Sequence, residues 1–100
     1  MNKYEIYWAD VPFEDSDESK LRPILILNDV GLVITALKIT SKGKSTATQI
    51  EISNWKGAGL SKQSYICIDK CLRLDKSVIG EKIGELQLID KYMLQKALMK

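Results

Sequence analysis

The sequence contains no histidine and only two cysteines, and these scarcities exclude several kinds of active site. Without histidine there is no Ser-His-Asp or Cys-His nucleophile system and no histidine-based zinc site. Cys67 and Cys71 are too few for a four-thiolate metal site. Four positions apart on a regular strand, they would share one face about 13 Å apart, at ~3.3 Å per residue, which is too far for a disulfide. We therefore expect two buried free thiols, as in a reducing cytosol.

Long hydrophobic runs are also missing. The apolar run at residues 24–27 has only four residues, whereas a membrane helix needs about 18. The first ten residues, MNKYEIYWAD, carry charges where a signal peptide would be apolar. We therefore expect a cytoplasmic protein, and a chain of 100 residues has room for a single domain over residues 1–100.

The net charge is small, because 15 Lys and Arg residues face 13 Asp and Glu residues, giving +2. This balance does not by itself indicate a nucleic-acid-binding protein. The charges are unevenly distributed, however. Residues 14–18 read EDSDE, whereas residues 38–62 contain five lysines and a single acid, Glu51. Such a distribution permits a polyanion to bind at one face.

Short apolar segments separated by turn signals occupy the first three-quarters of the chain. We predict strands over residues 4–8, 23–27, 32–39, 48–53 and 64–74. The fourth of these shows the alternation of apolar and polar residues that is typical of a half-buried strand. Residues 10–21 are predicted to form a polar loop, and residues 54–62 a loop or a single helical turn.

After about residue 83 the apolar spacing lengthens to three or four residues, which predicts an amphipathic helix. Its predicted apolar positions are Leu86, Ile89, Met93 or Leu94, and Leu98. Lys96 and Lys100 near its end suit the negative end of the helix dipole. About five antiparallel strands and a C-terminal helix predict a mainly β protein, a small β-barrel with one helix packed on it.

Three segments of the sequence are similar to the motifs of one protein family. The first is residues 20–27, KLRPILIL, in which Arg-Pro precedes a run of Ile and Leu. The second is residues 39–41, ITS, at the end of the third predicted strand. The third begins with Gly-Leu at 59–60, continues with Ser-Tyr-Ile at 64–66 and is followed by Gly-Glu-Leu at 84–86. In order and spacing these segments resemble the MazF/PemK family of toxin endoribonucleases.

The resemblance implies a small antiparallel barrel of the SH3-like kind found in MazF, PemK and CcdB proteins. It also implies a ribonuclease that uses no metal or other cofactor. In such an enzyme the 2′-OH attacks the adjacent phosphorus and leaves a 2′,3′-cyclic phosphate and a 5′-OH. Single-stranded RNA is then the expected substrate, an acidic antitoxin the expected partner, and a homodimer the expected assembly.

A reaction of this kind must stabilise charge on the phosphoryl oxygens and protonate the leaving oxygen. Arg22 is the candidate for the first task, because a guanidinium binds phosphate bidentately and stays charged. It is also the candidate for the second. The alternative for Arg22 is a surface ion pair with Asp15, Asp17 or Glu18. Thr40 and Ser41 would donate hydroxyl hydrogen bonds to the phosphate. Their alternative is a structural role in the turn that follows them.

The 2′-OH must also lose a proton, and the candidates for this base are Asp17, Glu18 or another carboxylate of the same loop. A carboxylate titrates near 4 and accepts a proton poorly unless burial or neighbouring acids raise its pKa. Four acids within residues 14–18 would have that effect. An exposed, solvated loop has the same composition and is the alternative.

A basic surface with aromatic rings is typical of proteins that bind single-stranded nucleic acid. The candidate RNA contacts are Lys20, Lys42, Lys44, Trp55 and Lys56. Solvated surface lysines are the alternative for the charged members of this group. Trp8 could add a second stacking ring to this surface, but for Trp8 we favour a place in the core.

Two other functions stay open on the sequence alone. A protein with a barrel like that of CcdB could be a poison that binds and blocks DNA gyrase and has no cleavage activity. An inactive homologue would be an interaction module, and the acidic residues 14–18 would suit that role. Arg22 before a proline, and Thr40 beside Ser41, favour the ribonuclease.

Overall fold

The computed structural model describes residues 1–12, 19–43 and 46–99. Within them the chain forms six strands and one α-helix: β1 (Glu5–Pro12), β2 (Ser19–Val30), β3 (Val33–Thr40), β4 (Gln49–Glu51), β5 (Tyr65–Asp75), β6 (Ile79–Glu85) and α1 (Leu88–Leu98). A 3-10 turn at Lys76–Val78 joins β5 to β6. The mainly β fold with a C-terminal helix is therefore confirmed.

The strands form one antiparallel sheet in the order β4-β5-β3-β2-β1-β6. In this order β4 and β6 are the edges, so the predicted barrel is an open sheet rather than a closed one. Register shifts interrupt the β1–β6, β2–β3 and β3–β5 ladders. Such bulges bend strands and increase their twist. The described residues fit within 32 × 28 × 28 Å, nearly equal extents that a flat six-stranded sheet would not have.

Strand β6 is absent from the sequence-based prediction. Its sequence, IGEKIGE, has two glycines and no buried side chain, so no apolar alternation marks it. Its pairing with β1 holds it in the sheet, for example at Ile6 and Gly84. β1 and β2 also pair further than predicted, into the segment 10–21 that was expected to be a loop.

The centre of the sheet is buried on both faces. Neighbouring residues of β2 point into different apolar clusters, Leu25 into one and Ile24 and Ile26 into the other. All three side chains are fully buried. This double burial explains the unbroken apolar run, because a strand covered on one face alternates apolar and polar residues. Leu86 and Leu94, near and within α1, belong to the Leu25 cluster and cover that face.

Helix α1 packs with a different face from the one that its apolar spacing predicts. Leu94 is buried as expected, but Ile89 and Leu98 are 53% and 46% exposed. The buried face also carries Asp90, whose carboxylate accepts hydrogen bonds from the backbone N–H groups of residues 53–54 at 2.7 and 2.9 Å. Asp90 and Leu94 are four residues apart and so share a face. No helix within the described ranges is both long and apolar enough to cross a membrane.

The two cysteines differ in burial, contrary to the sequence-based expectation. Cys67 is buried and Cys71 is exposed, and both are free. The reason is an irregularity in the pairing of β5 with β3. Ile66 pairs with Ile39 and Cys71 pairs with Leu37, so β5 moves on by five residues where β3 moves on by two. The two positions therefore do not share a face as they would on a regular strand. Burial raises the pKa of the Cys67 thiol.

A buried carboxylate connects the first strand to the last. The Glu5 side chain accepts hydrogen bonds from Lys82 Nζ at 2.6 Å, from the Asn2 backbone N–H at 2.7 Å and from the Tyr7 hydroxyl at 3.2 Å. The Lys82 hydrogen bond, followed by that from Asn2, lowers the pKa of Glu5 from 4.5 to about 2. Burial, and then the hydrogen bond to Glu5, raises the pKa of Tyr7. Glu5 thus stabilises the fold in its charged form.

We predict that Glu5 contributes to acid unfolding between about pH 4.5 and pH 2. Because its pKa is lower in the folded protein, its contribution is complete above the ordinary carboxyl pKa and is lost as the pH falls towards 2. The free energy of unfolding of Glu5→Gln should therefore fall less over this range, as measured by urea unfolding at several pH values. Glu81→Gln, at an exposed position of β6, is the control. Parallel pH profiles for the parent and the Glu5 variant would contradict the prediction.

Candidate active site

The register of the sheet brings a group of polar residues together at one end. Arg22 lies in β2, whose ladder with β3 ends at the pair Ile24 and Lys38. Continuing this register by two residues places Arg22 beside Thr40, the last residue of β3. Thr40 pairs in turn with Tyr65 at the start of β5. The guanidinium and the hydroxyl are therefore on neighbouring strands.

A cavity of about 430 Å³ lies at this end of the sheet. Its first wall, which we call the sheet wall, is formed by Trp8, Lys20, Leu21, Arg22, Pro23, Ile39, Thr40 and Ser41. A volume of this size is typical of sites for small ligands or short chain segments. Arg22, Thr40 and Ser41, predicted as catalytic, and Lys20, predicted to contact RNA, thus share one wall.

The segment before β5 forms the second wall, which we call the loop wall. It consists of Gly59, Leu60, Ser61, Lys62 and Ser64, with Ile83 of β6 beside them. The segment begins with a helical turn in which the Ala58 N–H donates to the Asn54 carbonyl at 3.1 Å, in agreement with the predicted loop or single turn. It then reaches β6, so the cavity lies between this segment and the ends of the central strands.

Two glycines allow the loop wall to approach β6 closely. Gly59 has a φ of +92°, and a Cβ added there would lie 2.5 Å from the Ile83 carbonyl oxygen. A Cβ at Gly84 would lie 2.2 Å from the Ala58 carbonyl oxygen. Both distances are too short for a side chain, so glycine is required at both positions. These are the glycines of the GL and GEL motifs.

The cavity is electropositive. Three cations line it, Lys20, Arg22 and Lys62, and no carboxylate belongs to its described lining. Arg22 is half-buried, which strengthens its interaction with an anion relative to a fully hydrated charge. Among residues 1–12, 19–43 and 46–99, no group of three or more His, Cys, Asp or Glu is placed to hold a metal ion. The described part of the site is therefore suited to an anion such as a phosphate.

The hydroxyl groups of the cavity have different roles. Thr40 Oγ1 accepts a hydrogen bond from the Lys42 N–H at 3.2 Å, and its own hydrogen can still be donated to a ligand. Ser41, beside it, is exposed. Ser64 is 4% exposed and donates its hydroxyl hydrogen to the Lys62 carbonyl at 2.9 Å. Thr40 and Ser41 are thus placed for a ligand, whereas Ser64 supports the loop wall.

The other predicted site residues lie elsewhere. Lys42, Trp55 and Lys56 do not line the cavity. Trp55 is half-buried against the Leu25 cluster, and Lys56 Nζ lies 5.4 Å from the centre of its ring. Asp17, Glu18 and Lys44 lie outside the described residues.

Trp8 and Lys62 line the cavity but were not among the predicted site residues. Trp8, for which the sequence favoured the core, is 38% exposed and lines the sheet wall. Trp8 thus lies at the cavity rather than within either apolar cluster. Lys62 belongs to no motif. The sequence signal that could have identified Lys62 is its position between the motif residues Leu60 and Ser64.

With this geometry established, comparison with known proteins gives the family. The sequence model of the PemK-like, MazF-like toxins of type II toxin-antitoxin systems matches residues 2–100, and the chain belongs to this family. The resemblance drawn from the three motifs is therefore confirmed. A search of curated protein sequences gives no significant match.

Solved structures with the same fold include several mycobacterial toxins. An endoribonuclease in complex with its cognate antitoxin, from a mycobacterial species, has a TM-score of 0.79 at 17% identity, covering 98% of this chain and 90% of the other. The Mycobacterium tuberculosis toxin MazF-mt6 has a TM-score of 0.72 at 22% identity, with coverages of 92% and 91%. A further mycobacterial endoribonuclease gives 0.76 at 17% identity, with coverages of 98% and 86%. At these identities the similarity establishes the fold.

We predict that Gly84→Ala destabilises the protein by about 1–3 kcal/mol, because the new methyl group would overlap the Ala58 carbonyl and push the loop wall away. Gly80→Ala is a matched control in the same strand, since its Cβ would lie 3.6 Å from the nearest atom, an ordinary contact. Chemical unfolding of both variants measures the difference. Equal stabilities would show that the contact between the loop wall and β6 is dispensable.

Proposed function

We propose that this protein is an endoribonuclease toxin that cleaves single-stranded RNA. The observation that carries the proposal is the meeting of Arg22, Thr40 and Ser41 in one electropositive cavity. Membership of the MazF-like toxin family supports it, as does the fold shared with mycobacterial endoribonucleases. In the proposed reaction the 2′-OH attacks the adjacent phosphorus. The products are a 2′,3′-cyclic phosphate and a 5′-OH.

Arg22 is assigned to the scissile phosphate. Its guanidinium donates two parallel hydrogen bonds to phosphoryl oxygens and balances the negative charge that grows on them in the transition state. Arg22 precedes Pro23, so its backbone is held extended at the start of a strand that is paired on one side with β1. Its half-buried position keeps the donor in place before the substrate arrives. Arg22 is also the proposed proton donor to the 5′-oxygen that leaves.

Thr40 and Ser41 are assigned to the same phosphate as hydroxyl donors. Thr40 is preorganised by the hydrogen bond from Lys42 to its oxygen, which fixes the side-chain rotamer and leaves the hydroxyl hydrogen for the substrate. Ser41 follows it at the end of β3 and lines the same wall. Three donors around one phosphate would hold it in a fixed orientation relative to the attacking 2′-OH.

The general base is proposed to be Asp17 or Glu18. The described lining of the cavity supplies three cations and four serine or threonine hydroxyl groups, but no group that accepts a proton readily near neutral pH. The acidic segment 14–18 joins β1 to β2, and Lys20 and Arg22 of β2 both line the cavity. A carboxylate of this segment is thus close to the cavity along the chain.

Further RNA contacts are proposed for Lys20, Lys42, Lys44, Trp55 and Lys56. Lys20 lines the cavity and would contact a phosphate directly. Trp8, with its partly exposed ring in the same wall, offers a stacking surface for a base. The other members lie outside the cavity or outside the described residues, and would contact more distant nucleotides.

The partners and location follow from the same proposal. A related mycobacterial endoribonuclease forms a complex with its cognate antitoxin, and we propose that a small acidic antitoxin neutralises this toxin too. An acidic tail that folds on binding would be attracted by the lysines and arginine of the cavity. We further propose a homodimer that acts in the cytoplasm.

The first prediction of this proposal concerns Arg22→Lys, which keeps the charge but loses the planar fork. The rate of RNA cleavage should fall by about 10²–10³, or about 3–4 kcal/mol of transition-state stabilisation. RNA binding should fall much less, because a lysine still attracts phosphate. Arg73→Lys is the control, since Arg73 is exposed on β5 and lies outside the cavity. An Arg22 variant that cleaves at the parental rate would remove Arg22 from the active site.

The second prediction concerns the nucleophile. An RNA oligonucleotide with a single 2′-deoxy substitution at the mapped cut site should bind but not react, because the attacking hydroxyl is missing. Cleavage of the unmodified RNA should persist in EDTA and leave a cyclic phosphate, detected by mass spectrometry. Cleavage of the 2′-deoxy substrate, or a requirement for added Mg²⁺ or Mn²⁺, would instead indicate attack by water.

A further inference from the structure

We infer that Lys62 forms a second phosphate subsite on the loop wall, which binds a backbone phosphate next to the scissile one. This inference rests on the RNA substrate proposed above. No motif of the family includes Lys62, and nothing in the catalytic assignment uses it. Lys62 nevertheless lines the same cavity as Arg22 and Thr40.

The two walls of the cavity carry positive charge on separate parts of the chain. Lys20 and Arg22 belong to β2, whereas Lys62 belongs to the segment between β4 and β5. The scissile phosphate already has three proposed donors on the sheet wall. A cavity of about 430 Å³ between the walls has room for more than one phosphate group. A cation on the loop wall is therefore suited to the next phosphate along the strand.

The backbone at Lys62 is held in place by a buried hydrogen bond. Ser64, which is 4% exposed, donates its hydroxyl hydrogen to the Lys62 carbonyl at 2.9 Å. On the other side, Gly59 fixes the segment against the Ile83 carbonyl, and Leu60 is 8% exposed. The Lys62 side chain is itself exposed. A rigid backbone thus presents a hydrated, flexible ammonium group, which suits a point-charge contact to a phosphate rather than a bidentate one.

Such a contact would have a defined thermodynamic signature. A protein–phosphate contact to single-stranded nucleic acid releases counterions and contributes about 0.7 to the slope of log K against log salt. Loss of the Lys62 contact should therefore lower that slope by about 0.7 and weaken binding similarly for all RNA sequences. Because the contact is made equally in ground and transition states, KM should rise while kcat is kept.

The test compares Lys62→Gln with Lys96→Gln, which removes the same charge from an exposed position of α1 outside the cavity. Binding of a fluorescent RNA with a 2′-deoxy cut site is measured by anisotropy at several salt concentrations. We expect a reduced slope for Lys62→Gln, an unchanged slope for Lys96→Gln, and recovery in Lys62→Arg. An unchanged slope in the Lys62 variant, or an equal fall in both glutamine variants, would overturn the subsite.

A second arm locates the phosphate. Uncharged methylphosphonates replace, one at a time, the phosphates on either side of the scissile one. Replacement of the phosphate that Lys62 contacts should weaken RNA binding by the parent protein. The same replacement should not weaken binding by Lys62→Gln, because that variant has already lost the contact. Additive losses at every position would overturn the assignment. A parent protein that binds RNA in this Lys62-dependent way without cutting it would refute the endoribonuclease and leave the subsite standing.

Discussion

The close approach of two backbone segments, at Gly59 and at Gly84, is the constraint on which the cavity depends. No side chain separates these segments, so Gly59 of the loop lies directly against the Ile83 carbonyl of β6, and Gly84 of β6 lies directly against the Ala58 carbonyl of the loop. That contact sets the distance between the loop wall and the sheet wall. Without it, Arg22 and Thr40 would stand on an open surface, where water and salt weaken the binding of a single phosphate.

Two buried carboxylates connect distant parts of the chain in a similar way. Glu5 is held by Lys82 of the last strand, and Asp90 of the helix is held by the backbone of residues 53–54, which precede the loop wall in the same segment. Each acid has two or more donors, which is the condition for burying a charge at tolerable cost. The hydrogen bonds of Glu5 and Asp90 thus connect the C-terminal third of the chain to the first strand and to the segment before β5. The apolar contacts of Leu86 and Leu94 add to this connection.

The sequence predicts the fold class and part of the site because these depend on local signals. The apolar run after Arg22, the ITS segment and the paired Gly motifs are all readable along the chain. The positions of β6 and Asp90 cannot be read in this way. β6 has no buried side chain and no apolar alternation, and Asp90 is held by partners 36 and 37 residues away. Trp8 was expected in the core but is partly exposed at the cavity. Its position on a strand does not show whether the face that it shares is still covered at that end of the sheet.

The cavity is assembled from residues that are far apart in sequence, from Trp8 to Ile83. During synthesis on the ribosome, the sheet wall is translated well before the loop wall and β6. The loop wall can take its place only when the chain has been translated beyond Gly84, because Gly59 and Ala58 pack against the backbone of Ile83 and Gly84. The two-walled cavity can therefore be assembled only after most of the 100 residues have been made.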